Sequence, residues 1–149
     1  MLARREALES AGLMDERFFI YSEEVDLCYR IGQAGWEIRH LPSMTILHHA
    51  EKAGINPKME AQLAYASRQY AVKHFALVRR TAYTGMLMLG YSIRSVAGGR
   101  NRELVGEKRV ASRRALRTLL GLAPPPFGAP PPNAVALRSA NLEVGPLKS

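Results

Sequence analysis

A chain of 149 residues has room for one domain, or one domain and a tail, and its 47% apolar and 23% charged residues are ordinary for a globular protein. Its one cysteine, Cys28, excludes an intramolecular disulfide and any zinc site that needs two thiolates from this chain, and it fits a reducing compartment. The net charge of +8 is uneven: residues 1–50 carry five arginines against eight acids, and the rest is strongly basic, which points to an acidic site first and a polyanion-facing surface after it.

The opening MLARREALES has no apolar h-region of the kind a signal peptide carries. Residues 4–11 read as a short helix closed by Gly12. The run Phe18, Phe19, Ile20 and Tyr21 reads as a buried extended segment or a loop under the acidic cluster. Ser22 is placed to cap a helix over 22–34, with Glu23, Glu24 and Asp26 in a first turn that the helix dipole favours for carboxylates. Spacings of three predict that Val25, Cys28 and Ile31 share its inner face, and Gly35 ends it.

Alternation predicts a strand over 36–41, and a second short strand follows at 44–48, ending at His48 and His49. Asn56-Pro57 starts a helix that runs to about residue 80, with Leu63, Tyr70 and Leu77 at seven-residue spacing. The uncharged run 81–93 forms a further helix, and at 13 residues it falls short of the roughly 18–20 a membrane span needs. Residues 101–120 form a basic amphipathic helix, with Leu104, Ala111, Ala115 and Leu119 on one stripe. The Pro-rich stretch from 123 to 149 reads as a disordered tail.

The expected fold class is therefore α+β: a small mixed sheet with packed helices, then the basic helix and the tail. Its segments are 1–56, 57–98, 99–122 and 123–149.

Three places could carry chemistry. The acids Glu23, Glu24 and Asp26 could supply a base that takes a proton from a substrate hydroxyl, or could simply be carboxylates at a helix start. His48 and His49 could present an imidazole to a metal, although two histidines without a spacing signature are a weak signal. Arg109, Arg113, Arg114 and Arg117 could face an anionic membrane or be plain solvated surface. No aromatic residues interleave them, which counts against a binder of single-stranded nucleic acid.

Together, Gly12 to Tyr21 (GLMDERFFIY), Glu23 to Arg30 (EEVDLCYR) and Ala34 to His48 (AGW, then Pro42 and His48) resemble the acceptor-side half of inverting glycosyltransferases of family 2. The resemblance is to the rhamnosyltransferase and galactofuranosyltransferase type, of GT-A fold. It covers about a third of the chain. It implies transfer of a sugar from a nucleotide-sugar donor to a glycan or lipid-linked acceptor. By resemblance Glu24 is the catalytic base, at a position where the family usually has Asp. Asp26 and Glu23 are acceptor-side carboxylates, with Asp26 sharing the catalytic role, and His48 is a ligand to a divalent cation, Mg or Mn, beside the donor diphosphate.

The family's nucleotide-binding half, with its Asp-x-Asp motif, has no counterpart here: the chain's two aspartates are Asp15 and Asp26. The resemblance thus implies the C-terminal piece of a longer enzyme, inactive alone, cytoplasmic and peripheral at the inner face of the cell membrane. The competing expectation is a non-enzymatic basic module that binds a membrane surface through residues 101–120.

Overall fold

The computed structural model describes residues 1–43, 45, 56–97 and 102–128, with only the backbone at 102–104. Five helices follow one another: α1 (Arg5–Ala11), α2 (Glu23–Gln33), α3 (Pro57–His74), α4 (Leu77–Val96) and α5 (Arg102–Leu119). Among the described residues there is no strand, so the expected α+β class with a mixed sheet is not found. Residues 36–41 are irregular chain, with Ile38 and Leu41 exposed. Alternation gives a segment one apolar face, but a strand also needs a neighbour's N–H and C=O groups. Most of the expected partner strand at 44–48, and His48 and His49 with it, lies outside the described residues.

The short helix α1 ends where expected. Gly12 follows it at a positive φ of 78°, and a Cβ there would lie 3.3 Å from the Arg30 guanidinium. Arg30 holds this corner by donating to the carbonyl oxygens of Ala11, Gly12 (3.1 Å) and Leu13 (2.8 Å). In the run Phe18 to Tyr21 the chain bends rather than extends. Phe18 is buried, while Phe19 turns outward and stacks on Phe127 at 5.4 Å. Residues 123–128, the start of the expected disordered tail, form a turn closed from the Gly128 amide to the Pro125 carbonyl at 3.1 Å.

Helix α2 stops through a paired C-terminal hydrogen-bond motif. The Trp36 amide donates to Ile31 (3.2 Å) and the Gly35 amide to Gly32 (3.1 Å), with Gly35 at φ 87°, where a side chain would be strained. Its buried residues are Asp26, Leu27 and Ile31. The expected inner face of Val25, Cys28 and Ile31 is thus rotated, and Val25 is half exposed. The four-residue step from Leu27 to Ile31 sets the packed stripe.

Helix α3 begins as its sequence predicts, with the Asn56 side chain accepting from the Lys58 amide at 2.9 Å and Pro57 in the first turn. It ends six residues earlier than expected. Phe75 and Ala76 are extended, and a separate helix, α4, starts at Leu77. Leu63 and Leu77 face outward, whereas Ala61, Ala64 and Ala71 are fully buried. Opposite them α5 buries Ala111 and Ala115, also completely. Small side chains on both surfaces let the α3 and α5 backbones approach closely. The core completes itself with Tyr91 and Leu119, flanked by Leu87, Met88 and Leu116.

Candidate active site at the start of the second helix

Tyr21 and Ser22 both take left-handed backbone conformations, at φ 69° and 67°. Such residues cost about 1 kcal/mol or more each and persist where surrounding contacts impose them. They swing the chain so that α2 starts at Glu23. Ser22 does not cap the helix through its side chain, contrary to the sequence expectation, because an effective cap has extended rather than left-handed backbone. Its carbonyl accepts the first helical bond, from the Asp26 amide at 2.9 Å.

The three acids of this turn have separate fates. A helix turns about 100° per residue, so positions 24 and 26 lie some 200° apart. Glu24 is exposed and makes no hydrogen bond or ion pair with the described residues. Glu23 is half buried, and its Oε2 is enclosed without a hydrogen-bond partner among the described residues. Asp26 is completely buried. Glu24 and Asp26, both expected to carry catalytic roles, thus stand in different surroundings, one exposed and one buried.

Asp26 is the hub of an ionic cluster between α2 and the end of α3. Its Oδ1 lies 2.6 Å from Lys73 Nζ and 2.6 Å from His74 Nε2, and its Oδ2 accepts from Arg30 Nε at 2.8 Å. Lys73 also reaches Asp15 Oδ2 at 2.7 Å, and Asp15 Oδ1 accepts the Arg17 amide at 2.9 Å. Burial alone would push the Asp26 carboxyl up. The hydrogen bonds from Lys73, His74 and Arg30 outweigh it and hold the carboxyl below its ordinary pKa of 3.8. Asp15 is lowered in the same way, its burial overcome chiefly by Lys73 and the Arg17 amide.

The His74 ring packs between Tyr29 (4.5 Å) and Tyr70 (4.8 Å), and Phe75 extends this aromatic group to Tyr83 at 5.6 Å. Sequence reasoning missed Lys73 and His74 as partners of the acidic turn. They lie almost fifty residues away, and the one available signal was that a carboxylate beside Leu27 and Ile31 needs a cation.

Other expected site residues fall elsewhere. The described residues contain no group of three or more His, Cys, Asp or Glu side chains able to hold a metal ion, and His48 lies outside them. Arg113, Arg114 and Arg117 are exposed on α5. Arg109 instead donates to the carbonyls of Val96 (3.1 Å) and Ala97 (3.2 Å), satisfying the C-terminal end of α4. The apolar stripe of α5, expected to face a membrane, is buried in the bundle at Ala111, Ala115 and Leu119. An open groove of about 1040 Å³ between α1, α2 and residues 36–41 is lined by Cys28, Ile31, Trp36 and Ile38 among others, and includes none of the three acids.

Comparison with known proteins finds one kind of relative. Over 58 residues the chain is 47% identical to N-acetylglucosaminyl-diphospho-decaprenol L-rhamnosyltransferase from two strains of Mycobacterium tuberculosis, CDC 1551 and H37Rv. The match takes in 38% of this chain and 19% of each relative, so the chain is a partial homologue of a bacterial glycosyltransferase and spans about a fifth of its length. No family model matches the chain, and no solved structure matches it. No helix among the described residues is long and apolar enough to cross a membrane.

Proposed function

We propose that this chain carries the acceptor-side segment of an inverting, family 2 glycosyltransferase that passes a sugar, of the rhamnosyl type, from a nucleotide-sugar donor to a lipid-linked glycan. The observation that carries this reading is the 47% identity to a rhamnosyltransferase whose name specifies a decaprenol-linked acceptor. The geometry adds a division of labour. Glu24 is the one acid of the turn that is exposed and unpaired among the described residues, so it is the base that deprotonates the acceptor hydroxyl. Glu23, half buried beside it, contacts the acceptor. Asp26 is a positioning residue: it fixes α2 against α3 and so fixes where Glu24 points.

A divalent cation, Mg or Mn, with His48 as one ligand, belongs to the same proposal. Among the described residues no group of three or more His, Cys, Asp or Glu side chains forms such a site. The chemistry derived from this chain is proton removal at Glu24, which makes the acceptor oxygen nucleophilic for a single displacement at the donor's anomeric carbon. The chain contains no Asp-x-Asp sequence, and by itself it is proposed to be inactive.

A graft tests this. The matched segment replaces its counterpart in the mycobacterial relative, and rhamnosyl transfer to a polyprenyl-diphospho-N-acetylglucosamine acceptor is measured beside the isolated chain. Transfer by the graft and silence from the isolated chain are expected. A correctly folded graft without activity contradicts the proposal, and turnover by the isolated chain contradicts its proposed inactivity.

A further inference from the structure

Helix α4 carries a face that the described residues leave uncovered. Its inner side is Tyr91 and Ser95, with Leu87 and Met88 packed on the core. On the opposite side Val78, Ala82, Met86, Leu89, Ile93 and Val96 recur at spacings of three and four, the pattern of one continuous helical stripe. The large members are well exposed, from 56% at Ile93 to 78% at Val78. No charged residue interrupts the stripe. Arg79 and Arg94 border one edge, Arg94 donating to Glu60 Oε1 at 2.6 Å, and Thr81 and Ser92 border the other.

An apolar patch of this length on a folded surface marks a contact site. It does not belong to a membrane span, since no helix among the described residues is long and apolar enough for one. Charge decides the occupant. Leu77–Val96 contains three arginines and no acid, and α5 adds exposed Lys108, Arg113, Arg114 and Arg117 to the same bundle. Two copies of the face brought together would press cationic borders against each other, whereas anionic headgroups complement them.

We propose that the exposed face of α4 docks this protein on an anionic lipid surface. The helix lies in the interfacial plane with its apolar stripe at the acyl boundary, while Arg79 at its border reaches headgroup phosphates. The inference is independent of the transferase reading. It also reassigns the membrane contact from the apolar side of α5, which the core consumes, to α4.

The test is co-sedimentation of the full chain with vesicles of phosphatidylcholine alone or mixed with phosphatidylglycerol. Binding to the anionic vesicles is expected, weakened several-fold by salt. The double variant Leu89→Glu/Ile93→Glu should bind at least about tenfold more weakly with unchanged far-ultraviolet circular dichroism, because both positions are exposed. A fluorophore on Met86→Cys, in a Cys28→Ser background, adds no charge and should shift to the blue with anionic vesicles. Failure to sediment with anionic vesicles, unchanged binding of the double variant, or an unshifted probe overturns the proposal. A dimer in sedimentation velocity that the double variant dissociates also overturns it, by giving the face to a second copy.

Discussion

Asp26 has three cationic or hydrogen-bonding partners within 2.8 Å and no exposure. Removing its charge leaves Lys73 and Arg30, both largely buried, facing a neutral amide. Asp26→Asn is therefore expected to cost about 3 kcal/mol, read as a drop in the urea midpoint at pH 7. The pH dependence has a definite sign. Asp26 and Asp15 both have folded-state pKa values below 3.8, so their contribution is complete above that value and is lost as pH falls through it toward the folded pKa. The urea midpoint should fall steeply below about pH 4, and Asp26→Asn should flatten that fall. A midpoint that declines identically in both proteins would contradict the cluster's role. The acids at 23, 24 and 26 and the glycine stops at 12 and 35 were legible in the sequence, because each is a local signal. Which acid is buried was not, because Lys73 and His74 reach Asp26 from a helix almost fifty residues away.

The start of α3 at Asn56-Pro57 and the extent of α5 were legible as elements, since caps and periodicity act within one or two turns. The break at Phe75-Ala76 was not. It rests on Phe75 meeting Tyr70 at 5.8 Å and Tyr83 at 5.6 Å, with Arg79 over its ring at 4.7 Å. These contacts bridge α3 and α4, and no local signal announces them. The strand expected at 36–41 failed for the complementary reason: its alternation was real, but no described neighbour pairs with it. The core was misjudged in kind. A row of Leu63, Tyr70 and Leu77 was expected along α3, and Ala61, Ala64 and Ala71 form its buried surface instead. Ala115→Leu, which puts a large side chain where α5 meets α3, is expected to destabilise the chain by about 1–3 kcal/mol. The same substitution at exposed Arg113 should change stability by less than about 0.5 kcal/mol. Chemical denaturation of the two variants side by side checks both values.

The whole molecule divides its labour along the charge asymmetry of the sequence. The acidic first third supplies the turn that holds Glu24, and the basic remainder folds into a helical bundle clamped to that turn through Lys73 and His74. The division itself was legible from composition. The use of the basic part was only half legible: an amphipathic helix was visible at 101–120, but burial of its apolar stripe depends on α3 and α4 and leaves the uncovered stripe on α4. The resemblance rested on contiguous motifs, which is why partial homology to a bacterial rhamnosyltransferase is found over 58 residues while the expected sheet is not found among the described residues. The role of Glu24 as the base is proposed. It is tested most directly by single-turnover rhamnosyl transfer in the graft bearing Glu24→Gln or Glu24→Asp. Loss of about 10²–10⁴ in rate for Gln at saturating acceptor, with most of the rate retained by Asp, is the predicted result. An unchanged rate with Glu24→Gln would contradict it.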